Sequence, residues 1–497
     1  MLIEVERRHA GAVGPVGHIV LVMEAYRTSK LLRRLRGPGA AVFAEQNMHF
    51  CLGLASQATV IDKGQIVYTS SIEELKANDN IRQRYLALQG SSQAVGGQMA
   101  GKLTPTHEAP YRGLKVLDFG QGIASPYCAM LLGVYGADVI KVEPPEGDWS
   151  RYLGTTYGNH TTLSAVYNRG KRSLCLDMKH TDGIAIAQRL AKEADVLIEG
   201  FRPGVAERLG LGYESLSLDN PGLIYLSVSG FGQSGPYSKR PGSDSVAQAF
   251  SGLVSINVGT DGVPHRVGTT ISDVVTGVYA FQAIATTLFA RATVGTGRWI
   301  DVNLCQSTAA LLGHKVAEFI LEGGTPRALN VPAGTYQTQD GWMMVTLVNE
   351  PQYKRLCAAI GRDDLASDPR FADFAARADS ADTLIPEMRE VFLIQPTQAW
   401  LTRLHAADII AERILNPGEW LRNPHVEATK ASVCQDTPGV GPVYSPRTPG
   451  IASQSEDLLC PAPDVGQDSR AVLAEAGFEA AAIDDLLQSG AVRQAKR

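Results

Sequence analysis

The chain has 497 residues and nearly balanced charge, 46 Lys and Arg against 51 Asp and Glu, for a formal net charge of −5. Without a basic surplus it is no dedicated nucleic-acid binder, because phosphate neutralisation dominates that kind of affinity. A 44% hydrophobic fraction with 20% charged residues excludes a disordered chain and predicts a large core shared among roughly three domains.

The opening MLIEVERRHAGAVGPVGHIVLVMEAY carries early acids and too short an apolar run for a signal peptide. Residues 1–88 mix helix-like patches (Ser29–Arg36, Asn47–Ala55) with strand-like ones (Ala41–Phe43, Ala58–Ile61, Gln65–Tyr68), a marginal core if alone. Residues 89–110 are polar, rich in Gly and Ser and aperiodic, and read as a linker. Within it Gly96-x-x-x-x-Gly101-Lys102 imitates a P-loop, yet Leu103 stands where Ser or Thr would hold Mg²⁺ and no strand precedes it.

From residue 111 strands and helices alternate. Leu114–Phe119 is a strand; Ser125 as N-cap and Pro126 in the first turn open a helix that Gly136 closes; Ala137–Val142 is the next strand. Helix Gly183–Ala191, strands Asp195–Glu199 and Leu223–Ser227, helix Val274–Arg291 and strand Trp299–Leu304 follow. This is the pattern of βαβ units on a parallel sheet, so residues 111–330 form an α/β domain. Gly334–Gln337, Met343–Leu347 and the helical stretch Glu350–Leu404 predict a smaller α+β lobe over residues 331–422. Residues 423–497 turn loop-rich and end in the helical pair Gln467–Ala476 and Glu479–Ser489.

The longest apolar run, Val274–Ala290, is broken by Thr and Gly and falls short of a bilayer span, so no membrane insertion is expected. Seven cysteines stand singly, without paired spacing, and predict reduced thiols in the cytoplasm. No His or Cys spacing fits a metal site, and none is expected.

Several segments carry chemistry. Gly120-x-Gly122-x-x-Ser125, after a strand and before a helix, nearly matches the dinucleotide fingerprint, with Glu143 placed as a ribose-binding acid at the next strand's end. Any tight βα turn also wants such glycines. In NRGKRSLCLDMK, Arg169, Lys171 and Arg172, with Lys179 at the far end, either neutralise an anionic head group or line a solvated loop. SGFGQSGP, from Ser229, and Pro241–Asp244 are glycine-rich turns that either offer backbone N–H groups to a ligand or serve as structural turns. Asp273, directly before the apolar helix, is either a helix cap or a nucleophile kept ionised by the helix dipole and nearby amides.

In this order, RGLKVLDFGQGIASPYCAMLLGVYGADVIKVEPPEGD, NRGKRSLCLDMK, ADVLIEGFRPGVAERLGLGYESL, the SGFGQSGP region, ISDVVTG and TGRWIDVNLCQS resemble family III CoA-transferases from residue 111 onward. The resemblance implies a Rossmann-like large domain, a smaller α+β domain, a C-terminal segment returning to the large domain, and an interlocked homodimer. It replaces the nicotinamide reading, since the family uses this βα turn for CoA. It implies that Asp273 attacks an acyl-CoA thioester, forming an aspartyl anhydride and then an aspartyl-CoA thioester, with Asp244 assisting or orienting. Ile123, Lys171, Arg172, Lys179, Phe201, Arg208 and Arg240 are the expected CoA-binding positions. No cofactor is expected to be held permanently; CoA or acyl-CoA and a carboxylic acid are the substrates.

Departures narrow the resemblance. The formyl-transferring enzymes have glutamine where Ile123 stands, and their tetraglycine loop has no counterpart here. The racemase branch has a histidine at Ser243, so a two-base racemase lacks one base, although Glu350 in NEPQY resembles that branch. Residues 1–88 resemble the C-terminal end of an amino-acid ABC transporter ATPase subunit, in GAAVFAEQNMHFCLGLASQATVIDKGQIVYTSSIEELKANDNIRQRYLAL, without the upstream parts that hydrolysis needs. A transporter-associated accessory role through this piece is the other alternative.

Overall fold

The computed structural model describes the chain from residue 106, except residues 108, 260–261, 325–326, 452–458 and 496–497, and before it the backbones of four strands. The chain divides into two compact units, Met1–Gly101 and Lys102–Arg497. In the first, Val16–Val22 pairs in parallel with Ala40–Ala44 and Ala55–Asp62, and Gln65–Ser71 pairs antiparallel with Ala55–Asp62. The three strand-like patches are therefore strands, joined by Val16–Val22; the two helix-like patches and the P-loop imitation lie outside the described residues.

The second unit is built on a seven-stranded sheet. Its strands are β1 (Lys115–Asp118), β2 (Asp138–Glu143), β3 (Arg172–Leu176), β4 (Val196–Glu199), β5 (Ile224–Ser229), β6 (Trp299–Asn303) and β7 (Val492–Arg493). The spatial order is β6-β5-β4-β1-β2-β3-β7, parallel throughout except for β7. Without β7 this is the doubly wound Rossmann order, whose ligand crevice opens at the carboxyl ends of the strands where the order reverses, between β1 and β4. Val116, Leu174, Leu197 and Leu226 are fully buried, as expected of strands covered on both faces.

Three helices position the site: α1 (Ala124–Val134), α2 (Asp244–Phe250) and α3 (Ile271–Val294). The sequence placed Ser125 as the cap of α1; instead Ile123 occupies that position without a side-chain cap, and the Ser125 side chain packs against Gly120 and Gly200. Gly136, at φ +96°, follows the end of α1 as expected.

Residues after 330 form a separate core around Tyr336, Met343, Leu356, Phe392 and Trp400. It comprises the antiparallel strands Gly334–Gln337, Trp342–Thr346 and Ile410–Arg413 with helices between Glu350 and Ala406. The stretch read as loop-rich holds a hairpin, Ser432–Thr437 with Gly441–Pro446, which the prolines and glycines concealed. The chain then returns to the large sheet, where β7 pairs antiparallel with β3.

Candidate active site

At the sheet's switch point the turn after β1 is held from below by buried charge. The Gly120 amide donates to Asp118 Oδ1 at 2.9 Å, and Lys141 Nζ donates to the Gly120 carbonyl at 2.8 Å while pairing with Asp148 at 2.8 Å. Asp148 accepts the Gly122 amide at 2.9 Å. A Cβ on Gly120 would stand 2.2 Å from Ser125 Cβ, and one on Gly122 the same distance from the Trp149 ring. These glycines serve close packing, and both amides are already used. Glu143 is gripped by Arg151 through two bonds of 2.7 and 2.9 Å and accepts from Ser173, so it has no oxygen to spare for a ribose.

Asp273 lies in the first turn of α3, two residues inside the helix rather than before it. Neither carboxyl oxygen accepts a hydrogen bond among the described residues. The first-turn amides go elsewhere: Ser272 N and Asp273 N donate to Asp244 Oδ2 at 2.7 and 3.3 Å. Burial, then the nearby Asp244, push the Asp273 carboxyl up to about 7. This corrects the expectation of a carboxylate kept ionised by amides and dipole, because desolvation and a neighbouring acid outweigh a dipole whose amides are spent on Asp244. The result is a half-buried carboxyl without hydrogen-bond partners among the described residues that ionises near neutrality.

Asp244 begins α2. Its second oxygen accepts from Gln248 Nε2 at 2.6 Å, and Gln248 reaches on to the Thr269 carbonyl and the Val267 amide at 3.3 and 2.8 Å. Gln248 thus ties Asp244 to the segment leading into α3. Thr270, the N-cap of α3, caps nothing with its side chain, and Tyr167 stands close to it. The Tyr167 ring lies 5.4 Å from Tyr127, whose Cβ and Cδ1 close on Gly277, one turn after Asp273 on the same helix face. Gln248 was legible once Asp244 was chosen, being four residues on along a helix. Tyr167 and Thr270 carried no such signal, since their contact spans about a hundred residues of chain.

Part of the glycine-rich turns serves the packing of the loop. Gly230 and Gly242 meet backbone to backbone, where a Cβ on Gly230 would lie 2.7 Å from Gly242 Cα. The Gly232 and Gln233 amides donate to Ser229 Oγ and Asp301 Oδ2, both at 2.9 Å. The close approach fastens the loop carrying Asp244 to the end of β5.

Of the expected CoA-binding positions, Ile123 and Phe201 sit at the carboxyl ends of β1 and β4, flanking the switch point. Lys179, Arg208 and Arg240 are exposed on segments that follow β3, β4 and β5, with the Arg240 guanidinium 3.5 Å from the centre of the Tyr237 ring. Lys171 and Arg172 do not join them. Lys171 is buried, and its three ammonium protons go to Asp118, the Pro126 carbonyl and Asn168 at 2.7, 2.8 and 3.0 Å, leaving none for a ligand. Arg172 lies at the amino end of β3, opposite the crevice, bound to Asp138 and Glu475. Glu350, which resembled the racemase branch, is also committed, to Arg377 at 2.7 Å and the Phe374 amide at 2.6 Å.

A doubly wound sheet carrying a half-buried carboxyl at the start of a helix packed on α1 has the architecture of an α/β enzyme. The profile of CoA-transferase family III matches residues 111–469, and the chain belongs to that family. It is 36% identical over 329 residues to the acetyl-CoA:oxalate CoA-transferase of Acetobacter aceti, covering 65% of this chain and 85% of that one. It is 34% identical over 391 residues to the succinate–glutarate CoA-transferase of Agrobacterium fabrum, covering 75% and 96%. Among solved structures, a CAIB/BAIF family protein from Brucella suis matches with 31% identity and a TM-score of 0.66, over 74% of this chain and 100% of that one.

Proposed function

We propose that the protein moves CoA between an acyl-CoA thioester and a free carboxylic acid through covalent intermediates on Asp273. The observation that carries this reading is the Asp273 carboxyl itself, at the start of α3, without a hydrogen bond to its oxygens among the described residues and beside Asp244. The carboxylate attacks the thioester carbonyl and expels CoA thiolate, leaving an aspartyl–acyl anhydride. The thiolate attacks the aspartyl carbonyl, releasing the first carboxylate and leaving an aspartyl-CoA thioester. The incoming carboxylate attacks that thioester, and the thiolate finally takes the new acyl group and frees Asp273. Each step exchanges one activated acyl bond for another, the usual gain from nucleophilic catalysis. Asp244 sets the entry of α3, and Ile123, Lys179, Phe201, Arg208 and Arg240 receive CoA.

The acids named for the relatives, oxalate, glutarate, citramalate and malate, make a dicarboxylic acid the acceptor to try first. We further read the active form as a homodimer. The helix α3 runs beyond the apolar stretch read from sequence, which was expected to fall short of a bilayer span: over Ile271–Val294 it is long and apolar enough to cross a membrane, and only 28% of its most apolar stretch is buried within one chain. Its start carries Asp273 and its flank packs on α1, so a second copy is a better cover than lipid. The six described cysteines are free thiols, which agrees with a cytoplasmic enzyme. Domains over residues 111–330 and 331–422, with a C-terminal segment over 423–497, carry the transferase, after residues 1–88 and the linker 89–110.

The test is to trap the intermediate. With acyl-CoA present, borohydride or hydroxylamine should modify Asp273, seen by peptide mass, and Asp273→Ala should neither be modified nor exchange CoA. Exchange by Asp273→Ala at the wild-type rate would refute the mechanism.

A further inference from the structure

Strand β4 ends on a carboxyl that shapes the turn beyond it. Glu199 is 4% exposed, and its Oε2 accepts the amide of Phe201, two residues on, at 2.7 Å. The turn that follows β1 is packed against this one. A Cβ on Gly200 would stand 3.2 Å from Ser125 Oγ and 3.7 Å from Gly120 Cα. The Phe119 amide donates to the Ile198 carbonyl at 2.8 Å, and the Phe119 and Phe201 rings lie 6.2 Å apart. The bond from the Phe201 amide to Glu199 therefore sets how the chain leaves β4, and with it where the Phe201 ring stands at the switch point.

The surroundings of this carboxyl oppose its charge. Glu199 pairs across the sheet with Ser227 on β5, which pairs in turn with Asp301 on β6. The charges acting on it are Glu207, in the short helix Val205–Arg208, and Asp301, and the Tyr225 phenol on β5 feels Glu199 in its turn. Burial, then these acids, push Glu199 up to about 7 although it accepts the Phe201 amide. An ionised carboxylate accepts an amide proton more strongly than a neutral acid, so the hold on Phe201 tightens as Glu199 loses its proton.

We propose that Glu199 is a positioning residue for CoA, which by holding the Phe201 amide sets the ring against which CoA binds. Protonation of Glu199 loosens that hold and weakens CoA binding. The proposal rests on the reading of Phe201 as a CoA contact, and it is independent of the chemistry at Asp273.

The experiment measures CoA binding by calorimetry from about pH 5.5 to about pH 8.5, in the full chain carrying Asp273→Ala, with and without Glu199→Gln. Asp273→Ala removes the other carboxyl that titrates near 7, and turnover with it. Glutamine keeps the length and a neutral acceptor, and the titration of CoA's own phosphate is common to both chains. The two affinities should agree at the acid end, and Glu199→Gln should bind CoA about fivefold more weakly at the alkaline end, the difference between a charged and a neutral hydrogen bond. With Phe201→Ala also present, Glu199→Gln should change the affinity at neither end. In the wild-type chain labelled with [15N]phenylalanine, the Phe201 amide resonance, assigned by its loss in Phe201→Leu, should shift with a midpoint near 7, a readout that needs no Glu199 variant. A ratio of affinities that does not vary with pH, an undiminished effect of Glu199→Gln without the Phe201 ring, or a Phe201 amide that does not titrate overturns the role of Glu199 and leaves the CoA site standing. Failure of the Asp273→Ala chain to bind CoA at any pH overturns the CoA site and this proposal together.

Discussion

Asp244 caps the helix on which Asp273 rides: one of its oxygens accepts the amides of Ser272 and Asp273 at 2.7 and 3.3 Å. One acid therefore both orients the other and raises its pKa. Asp244→Asn keeps the shape and an acceptor but removes the charge, so the acid limb of the activity profile should move to lower pH. Asp244→Ala removes the cap as well and should cost about 1 kcal/mol of stability. Initial rates across pH and thermal unfolding separate the two effects.

Exchange should rise with pH through about 7 as Asp273 ionises, and then level off. The stability effect has the opposite sign. The unfolded carboxyl titrates near its ordinary 3.8 and the folded one near 7, so the folded chain holds its proton longer. That contribution is complete below the unfolded value and is lost as pH rises through about 7. Asp273→Asn should accordingly be inactive, more stable than wild type at pH 8, and equal to it near pH 4 in chemical denaturation.

Gly122→Ala should be severe. The residue has φ +81°, and its Cβ would stand 2.2 Å from the Trp149 ring, so strain and overpacking add to several kcal/mol, on the order of 2–5. Gly154, at φ +100° with open space around it, provides the control: Gly154→Ala should cost only about 1–2 kcal/mol.

The basic residues of NRGKRSLCLDMK should divide by role. Lys171→Met breaks a buried pair with Asp118 and should destabilise the fold by about 3–5 kcal/mol. Lys179→Ala, on an exposed side chain, should leave stability within about 0.5 kcal/mol and raise the KM for acyl-CoA. Unfolding curves and exchange kinetics on the same preparations decide this.

Tyr167→Phe removes the hydroxyl that stands close to Thr270 at the entry of α3. If the tyrosine acts through that threonine, kcat falls severalfold with little change in KM, and Thr270→Val adds nothing further. Additive losses in the double variant would place the two residues on separate paths.

By itself the sequence determined the alternation of strands and helices, the parallel sheet and the small lobe, because two-residue and helical periodicities are local properties that burial imposes on consecutive residues. It also singled out Asp273 and Asp244 through the resemblance carried by an ordered run of motifs, and it marked glycine-rich turns without deciding between ligand contact and packing. It could not say what those glycines avoid: Gly122 faces Trp149, and Gly230 faces Gly242. Nor could it sort Lys171 from Lys179, which occupy one basic segment yet end in the core and at the surface. The ionisation of Asp273 was likewise decided by tertiary structure. A helix N-terminus read from sequence promises stabilising amides, but the fold gives those amides to Asp244, and desolvation then holds the proton on Asp273 to near neutrality.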